Sequence, residues 1–310
     1  MEVCIRLLLT KGLLLSNNET KIEKHFLVFH DADQDGYCAA NIVYNARKSP
    51  KTSVELVSTS SNIVNPIIPE DVCGIYFVDL CPSLSYTQTL LDQGIEVCII
   101  DHHKSSVDTL EGFEHEYLTK VLDVNSSACM LAWNHFNEKQ PVPWVVAKIH
   151  EWDKWEHADP QVIPFHYGLD CLDHNEKKLW KQLLKGDPAV CTEVMRMGHI
   201  AGTYYVRMLN KTVSDYSTPV SIGGNVVLLC SGKFHNSYEF AGSFNPTRHD
   251  AIGWWYYDPS FSGDIVLSVK TDKEGVDCLE ILKEYNPVGG KLSASAAIDF
   301  KTIDKILKED

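Results

Sequence analysis

Carboxylates and imidazoles recur in this chain directly after short apolar segments. The residues in these positions are His30, Asp33, Asp35, Asp79, Asp101 and His102. Oxygen and nitrogen donors of this kind, without thiolates, favour Mn²⁺ or Mg²⁺ over a structural zinc ion. Several carboxylates in one crevice repel one another unless cations neutralise them. The residue types therefore predict a divalent metal site, provided that the fold brings these segments together.

The apolar segments are predicted strands that alternate with predicted helices. The strands are His25–Phe29, Ser53–Ser58, Gly74–Val78 and Glu96–Ile100, and the helices between them are Ala39–Ala46 and Tyr86–Gln93. This alternation is typical of a doubly wound α/β fold with a parallel sheet. The carboxyl ends of parallel strands form the ligand-binding edge of such a sheet. We therefore expect three strand ends to deliver their acids to one crevice.

A crevice with these ligands can hold two metal ions about 3.5–4 Å apart, which activate a water molecule and polarise a phosphoryl oxygen. Asp79 is the single acid after its strand, so it is the natural bridging ligand. The run Asp31–Gly36 also resembles an EF-hand calcium loop, which requires a Glu six residues after the Gly. Ile42 occupies that position, which argues against an EF-hand. Gly36 is expected to let the chain turn sharply after the acids.

The composition limits the classes of function. The 310 residues are 44% hydrophobic and 23% charged, which suits a globular protein of about two domains. A net charge of −14 argues against general binding to duplex DNA, which needs a basic face. The ten cysteines form no CxxC pair, and the apolar stretch Ile5–Leu15 is too short to span a membrane. These features predict buried reduced thiols, no membrane attachment and a cytoplasmic location.

The last third of the chain has a different pattern. A long predicted helix at Ala189–Asn210 precedes the strands Val220–Leu229, Ala251–Tyr257 and Asp264–Lys270 and the helix Val276–Glu284. Ser, Asp, Thr and Pro cluster at Val213–Pro219, as is typical of a domain boundary. We predict a parallel-sheet domain at residues 1–185, a helical connector at 186–218 and a smaller α/β domain at 219–310.

Three motifs of the chain resemble those of the DHH phosphoesterase superfamily. The motifs are Phe29–Gly36, Phe77–Asp79 and Ile100–Ser105, the last with the sequence IDHHKS. The resemblance extends over most of the chain and names a superfamily that includes RecJ exonucleases, nano-RNases, cyclic-dinucleotide phosphodiesterases, exopolyphosphatases and manganese pyrophosphatases. It implies a metal-dependent phosphoester hydrolase with a DHH domain and an associated substrate-binding domain.

The resemblance also implies two ligand sets that share Asp79. The first set is His30, Asp33 and Asp79, and the second is Asp35, Asp79 and His102. In the third motif, His103 would contact the scissile phosphate and Asp101 would orient the imidazoles. Asp31 remains an alternative to His30 as a ligand.

A fourth motif of the family supplies one more acid to the second metal ion. The matching segment is His150–Trp155, where relatives carry Asp-x-Asp-x-Trp. Glu151 replaces the first Asp and Asp153 matches the second, so both are candidate ligands. Trp152 is interpreted as a core aromatic residue, with a base-stacking platform as the alternative.

The tail departs from the family pattern. Lys291 follows Gly289 and Gly290, where the associated domain usually has a Gly-Gly-His motif. Lys270 likewise replaces the Arg of a Ser-Leu-Arg-Ser strand. Both lysines keep a positive charge for a substrate phosphate, and a solvated surface position is the alternative. Asn236 is a candidate substrate contact in a loop that borders the cleft of relatives, with a plain surface loop as the alternative.

We therefore expect a phosphodiesterase with two Mn²⁺ ions, or Mg²⁺ in their place, that acts on short single-stranded oligonucleotides or small nucleotides. One alternative is hydrolysis of polyphosphate or pyrophosphate. Such a site needs more Lys and Arg side chains than the tail of this chain brings together. Another is a non-catalytic scaffold, against which the retained ligands argue. The oligomeric state is open, with a homodimer as one alternative. His166 and His174 belong to no motif and are interpreted as structural or surface residues.

Overall fold

The computed structural model describes residues 22–59, 66–154, 156, 158–232, 245, 247–259 and 265–308. The chain forms two compact units, Met1–His199 and Ile200–Asp310. The division lies within the long helix Pro188–Tyr216, and the three-part division expected from the sequence stays a prediction. Each unit has its own sheet and its own core.

The strands of the first unit form one parallel sheet. In chain order they are β1 (Lys24–Asp31), β2 (Thr52–Thr59), β3 (Val72–Val78), β4 (Glu96–Asp101) and β5 (Leu118–Leu122). Their spatial order is β2-β1-β3-β4-β5, and every neighbouring pair is parallel. The order changes direction between β1 and β3, which is the point where open parallel sheets bind their ligands.

Helices pack on both faces of this sheet and on one another. They are α1 (Gln34–Arg47), α2 (Leu84–Asp92), α3 (Lys104–Leu110), α4 (Ala128–Asn137), α5 (Trp144–Asp153), α6 (Val162–Asp170), α7 (Lys177–Leu184) and α8 (Pro188–Tyr216). Val28 and Ile100 lie in one core with residues of α1, α4 and α5, whereas Leu27 and Ile99 pack with residues of α2 and α3. Adjacent strand residues point to opposite faces. The predicted doubly wound parallel sheet is confirmed.

The register of the sheet brings the predicted acids to one edge. His30 of β1 lies beside Val78 of β3, and Val78 lies beside Ile100 of β4. The residues that follow them in these three strands are Asp31, Asp79 and Asp101. Because the strands are parallel and in this register, the three acids reach the same level of the sheet.

The first turn of α1 starts directly at this edge. Asp33 caps the helix, since its Oδ1 accepts a hydrogen bond of 2.8 Å from the Gly36 amide. A Cβ atom on Gly36 would lie 2.4 Å from the carbonyl oxygen of Asp31, and the φ of Gly36 is not in the left-handed range. Gly36 is therefore needed for the close approach of α1 to β1. The sequence predicted a sharp change of chain direction at this glycine. That prediction is wrong, because Gly36 already belongs to the first turn of the helix.

The second unit contains a six-stranded mixed sheet. Its strands are β6 (Ser217–Ile222), β7 (Asn225–Ser231), β8 (Ala251–Tyr257), β9 (Ile265–Lys270), β10 (Val288–Gly290) and β11 (Ser293–Ile298). Their spatial order is β10-β11-β9-β8-β7-β6, and only the β7–β8 pair is parallel. The single strand predicted at Val220–Leu229 is two strands, because Gly223 and Gly224 both have positive φ and turn the chain between them.

Two described helices complete the second unit, α9 (Cys278–Ile281) and α10 (Phe300–Lys308). Ile281 of α9 and Ile303 of α10 share a core with Leu267 of β9. The predicted helix Val276–Glu284 is shorter than expected, and a 3-10 turn follows it at Lys283–Tyr285. The sheet and its helices confirm the expected smaller α/β domain.

None of the described helices is long and apolar enough to cross a membrane. The nine described cysteines are free thiols, and the buried ones are Cys38, Cys98, Cys129, Cys230 and Cys278. Burial raises the pKa of the Cys98 thiol to about 12, so this thiol stays protonated. The prediction of buried thiols is correct for these five and wrong for Cys171, which is exposed.

Candidate metal centre

Asp79 is the central acid of the site. It follows β3 with a φ of 59°, a left-handed conformation that Asp tolerates better than most residues other than glycine. Its amide donates a hydrogen bond of 2.9 Å to the Ile100 carbonyl, and its Oδ1 lies 3.2 Å from Nε2 of His102. Burial raises the pKa of the Asp79 carboxyl well above the usual range, and the charges of Asp35 and Asp33 raise it further.

Asp35 is held at the N-terminus of α4. Its Oδ2 accepts a hydrogen bond of 2.6 Å from the Ala128 amide, and its Oδ1 accepts one of 2.9 Å from the Cys129 amide. Amides in the first turn of a helix have no partner inside the helix and favour an anion. Burial nevertheless raises the pKa of the Asp35 carboxyl to about 7, and the charge of Asp153 adds to this effect. The two amides thus fix the position of Asp35, but they do not fully compensate its negative charge.

Asp101 is surrounded by hydrogen-bond donors. Its Oδ1 accepts from the His102 amide at 2.7 Å, from the His103 amide at 3.2 Å and from Nδ1 of His103 at 2.8 Å. Its Oδ2 accepts from the hydroxyl of Ser106. Burial alone would raise the pKa of Asp101, but the hydrogen bonds from His103 and Ser106 outweigh it and lower this pKa. This arrangement suits a residue that orients the third motif better than it suits a metal ligand.

The His103 side chain is half exposed and is tied to Asp101. Its Nδ1 is bonded to Asp101, and 52% of its side chain is exposed. The hydrogen bond with Asp101 raises the pKa of the His103 imidazole. A protonated ring in this position has Nε2–H available to an anionic ligand.

His102 lies among three carboxylates. Its Nε2 is 3.2 Å from Oδ1 of Asp79 and 3.9 Å from Oδ2 of Asp35, and its Nδ1 is 3.6 Å from Oδ2 of Asp153. Burial lowers the pKa of this imidazole, which favours the neutral form that binds metals. Asp153 is the last residue of α5, and burial raises the pKa of its carboxyl.

Glu151, the other candidate of the fourth motif, has different partners. Its Oε2 accepts a hydrogen bond of 3.1 Å from Nζ of Lys148, and its Oε1 accepts one from the Asp159 amide. Nζ of Lys148 also lies 2.5 Å from Oδ2 of Asp159. Because this network occupies both oxygens of Glu151, the geometry favours Asp153 as the ligand from this segment.

His30 and Asp33 lie beside this cluster. Nδ1 of His30 is 2.7 Å from the carbonyl oxygen of Asp31, to which it donates, so Nε2 is left as an acceptor. Burial lowers the pKa of His30 and keeps the ring neutral. Asp33 is exposed, and Oδ1 of Asp31 accepts a hydrogen bond of 2.7 Å from the Ala32 amide. His30 is therefore oriented as a ligand would be, whereas Asp31 is bonded to its own loop.

The described residues include two groups whose donor atoms lie within 4.8 Å of one another. They are Asp79, Asp101, His102 and His103, and Asp35, His102 and Asp153. Among the residues that the structure describes, neither Oδ1 of Asp79 nor Oδ2 of Asp153 has a hydrogen-bond partner, and both are buried. Burying such oxygens is costly unless a cation binds them. The residues therefore fit a divalent metal, as the sequence predicted.

Three features of the site were not predicted from the sequence. The hydroxyl of Ser106 holds the third motif, as described above. Nε2 of Gln34 donates to the carbonyl of His166 at 3.0 Å and to Oδ1 of Asp170 at 2.8 Å. The indole of Trp152 stacks on the His166 imidazole with ring centroids 3.6 Å apart. Ser106 was detectable because it directly follows the IDHHKS motif, whereas contacts across more than 130 residues leave no sequence signal.

The described tail candidates are Lys270, Gly289, Gly290 and Lys291, whereas Asn236 lies outside the described residues. Lys270 of β9 pairs with Ser293 of β11, and Ser293 pairs with Gly290 of β10, so these residues form one row across the sheet. Gly289 has a φ of 126°, and a Cβ atom there would lie 2.6 Å from the Ser293 carbonyl oxygen. Lys291 is exposed in the turn between β10 and β11. The structure thus brings the two tail motifs together.

Comparison of the sequence with family models and with curated proteins gives no match. Solved structures do match. The DHH domain of a member of a ribosomal-protein family is 14% identical, with a TM-score of 0.53 over 92% of this chain and 85% of that chain. A pGpG-specific phosphodiesterase from Vibrio cholerae is 11% identical, with a TM-score of 0.51 over 92% and 96%. Exonuclease RecJ bound to manganese is 15% identical, with a TM-score of 0.49 over 92% and 88%.

The fold and the site together define an α/β protein with a cluster of Asp and His at the carboxyl edge of a parallel sheet. Its fold is shared with a solved DHH domain and with a solved pGpG-specific phosphodiesterase, the two structures with TM-scores above 0.5. The resemblance expected from the three sequence motifs is confirmed for the fold. At identities of 11–14%, these structures show the fold and not the activity. The function has to be argued from the residues of the site.

The raised pKa of Asp35 predicts a loss of stability with rising pH in the metal-free protein. An acid with a raised folded-state pKa binds its proton more tightly when folded, so stability falls as the pH rises from the unfolded to the folded pKa. For Asp35 this interval ends at about 7. The fall in the free energy of unfolding between pH 5 and pH 8 should be about 2 kcal/mol smaller in Asp35→Asn than in the parent.

This difference can be measured by urea unfolding with a chelator present. Asp108→Asn is the matched control, because Asp108 is an exposed acid of the same unit, paired with Lys104. It should keep the parent's pH dependence. Equal pH dependence in the parent and in Asp35→Asn would contradict the inferred burial of charge.

The assignment of Asp153 predicts opposite behaviour of two neighbouring acids. Asp153→Asn should weaken Mn²⁺ binding about tenfold or more, because it removes a donor of the cluster. Glu151→Gln should change the affinity less than about threefold and should instead lower stability, since it breaks the contact with Lys148. Isothermal titration of both variants measures this, and a larger loss of affinity in Glu151→Gln would reverse the assignment.

Proposed function

We propose that this chain is a metal-dependent phosphodiesterase. The observation that supports it most is the pair of buried oxygens, Oδ1 of Asp79 and Oδ2 of Asp153, which have no hydrogen-bond partner among the described residues. They lie 3.2 Å and 3.6 Å from the two ring nitrogens of His102. A divalent cation held by these residues would neutralise acids that hydrogen bonds from the described residues leave uncompensated. Sites of this composition serve phosphoester hydrolysis.

The proposed ligands are Asp35, Asp79, His102 and Asp153, with His30 and Asp33 beside them. Bound Mn²⁺ or Mg²⁺ would supply charge neutralisation, a polarised phosphoryl oxygen and an activated water molecule. The protein holds its side chains in place for this purpose. The α4 amides fix Asp35, and the Asp31 carbonyl fixes the His30 ring with Nε2 as the acceptor.

His103 is proposed to bind the scissile phosphate. Its Nδ1–H stays on Asp101, and its Nε2–H donates to a phosphate oxygen when the ring is protonated. Asp101 stabilises the positive ring and fixes its direction through bonds of 2.8 Å and 3.2 Å to the same residue. The half-exposed position of His103 leaves it accessible to a substrate.

Short single-stranded oligonucleotides or small nucleotides are the proposed substrates. A polyphosphate site needs a dense set of Lys and Arg, whereas the tail motifs supply only Lys270 and Lys291, in a chain of net charge −14. One of the structures that share the fold is a pGpG-specific phosphodiesterase, which supports the nucleotide class. A cytoplasmic location stays part of the proposal.

The second unit is proposed to bind a substrate phosphate at the row formed by Lys270, Ser293 and Gly290. Gly290 leaves the backbone open to an anion, since a Cβ atom there would meet nothing within 4 Å. Lys291 in the adjacent turn adds an exposed positive charge. These residues hold substrate without taking part in metal binding.

Asp79→Asn tests the proposed function. Purified protein with Mn²⁺ should hydrolyse a short oligoribonucleotide, a cyclic dinucleotide or a mononucleotide faster than polyphosphate. The variant should lose about 10³-fold or more of this activity, because it removes a charge from the centre of the cluster. Equal activity in Asp79→Asn would refute the metal mechanism. Metal binding without turnover of any substrate would favour the scaffold alternative, and turnover of polyphosphate alone would favour the polyphosphatase.

Lys291→Ala tests the second unit separately. It should raise the KM for an oligoribonucleotide about three- to tenfold, as expected for one exposed phosphate contact, while Mn²⁺ affinity stays at the parental value. Lys301→Ala is the matched control, because Lys301 is an exposed lysine of the same unit on α10. If both variants have the parental KM, Lys291 has no role in substrate binding.

A further inference from the structure

A cleft of about 410 Å³ opens in the first unit beside the acid cluster. The acids Asp33, Asp35 and Asp153 line the cleft. All three are candidate metal ligands, so the cleft and the acid cluster share this border. A phosphate bound at these acids would therefore have the cleft directly beside it. The volume lies within the range of small-molecule sites, about 300–1,000 Å³.

Flat rings form part of the wall of the cleft. The Trp152 indole and the His166 imidazole stack with centroids 3.6 Å apart and planes inclined by 16°, and Ile149 adds apolar surface. The two rings occupy each other's inner faces, so a nucleobase would stack on an outer face of the pair, as every base has a flat face that stacks on an aromatic ring. The wall therefore favours a planar ligand with little charge.

The cleft is tied to the loop that carries the acids. Gln34 lies between Asp33 and Asp35 in the sequence, and its amide donates to the carbonyl of His166 and to Oδ1 of Asp170. Oδ2 of Asp170 in turn lies 3.3 Å from Nε2 of His166. These contacts hold α6 against the start of α1, so the distance between the acids and the ring pair is set before a ligand binds.

The charges of the cleft disfavour a second phosphate. None of the described residues that line it is Lys or Arg, and Asp170 adds a carboxylate away from the cluster. A polyphosphate chain that extended from the cluster into this space would meet like charges. A nucleobase offers instead a neutral ring with hydrogen-bonding edges.

We propose that this cleft binds the base of a nucleoside attached to the phosphate at the acid cluster, with Trp152 and His166 as its stacking wall. This inference rests on the proposed function, because the cluster must hold the phosphate. Trp152 is then more than a core aromatic residue. His166 and His174, which the sequence left as structural or surface residues, both line the cleft.

The test compares ligands with and without a base. With Mn²⁺ present, the protein should bind adenosine 5′-monophosphate at least about fivefold more tightly than ribose 5-phosphate, the lower end expected for stacking one base. Trp152→Leu should remove most of this preference, and Trp152→Phe, which keeps a flat ring, should retain much of it. Calorimetric titration of each ligand gives both affinities.

Trp144→Leu is the matched control, because Trp144 lies on the same helix and packs against Phe165 at 4.7 Å between ring centroids, outside the cleft. It should keep the parental preference. Equal affinity for the two ligands in the parent, or an unchanged preference in Trp152→Leu, would overturn the proposal. These measurements need no turnover, so a base preference in a protein that hydrolyses nothing would support the cleft while the proposed function fails.

The same comparison distinguishes the two ideas in the opposite case. A diribonucleotide and its doubly abasic analogue share one phosphodiester. If both are hydrolysed with equal kcat/KM in the presence of Mn²⁺, the phosphodiesterase proposal stands and the cleft proposal is wrong. A lower kcat/KM for the abasic analogue, with the ratio reduced in Trp152→Leu and kept in Trp144→Leu, supports both.

Discussion

The burial of several carboxylates at one sheet edge is the constraint on which the site depends. Burial raises the pKa values of Asp35, Asp79 and Asp153. Backbone and side-chain donors compensate only some of the charge. Asp35 accepts hydrogen bonds from two amides, and Asp101 accepts them from the His103 imidazole and the Ser106 hydroxyl. Isolated buried charge is costly. Cations at this edge are therefore a condition for ionised acids here, and not only a tool of catalysis.

The sequence predicts that the acids meet at one sheet edge, because the strand pattern alone determines where each strand ends. Strands buried on both faces appear as continuous apolar runs, and parallel strands place their carboxyl ends together. The register of His30, Val78 and Ile100 does this in the structure. Local backbone detail is less accessible. The turn at Gly223–Gly224 falls in the middle of a predicted strand, because apolar residues continue on both sides of it.

The choice between Glu151 and Asp153 was beyond the sequence because it depends on how α5 is rotated about its axis. Two acids separated by two positions point about 200° apart on a helix, so only one can face the cluster. The contacts of Glu151 with Lys148 and the Asp159 amide show which face is turned away. Both partners lie within eight residues of Glu151, yet nothing in their types distinguishes a surface ion pair from a metal ligand.

The proposed metal ligand Asp153 and the proposed base-stacking residue Trp152 are neighbours on the last turn of α5. Asp153 faces the cluster and its neighbour Trp152 lines the cleft, so one rigid element sets the separation of phosphate and ring. The contacts of Gln34 fix the opposite border in the same way, because Gln34 lies between two acids of the cluster and bonds to α6. A cleft whose position is tied to the acids from both sides selects by the distance between a phosphate and a flat group. Nucleotides have that distance built into their covalent structure, whereas polyphosphate has no flat group to place there.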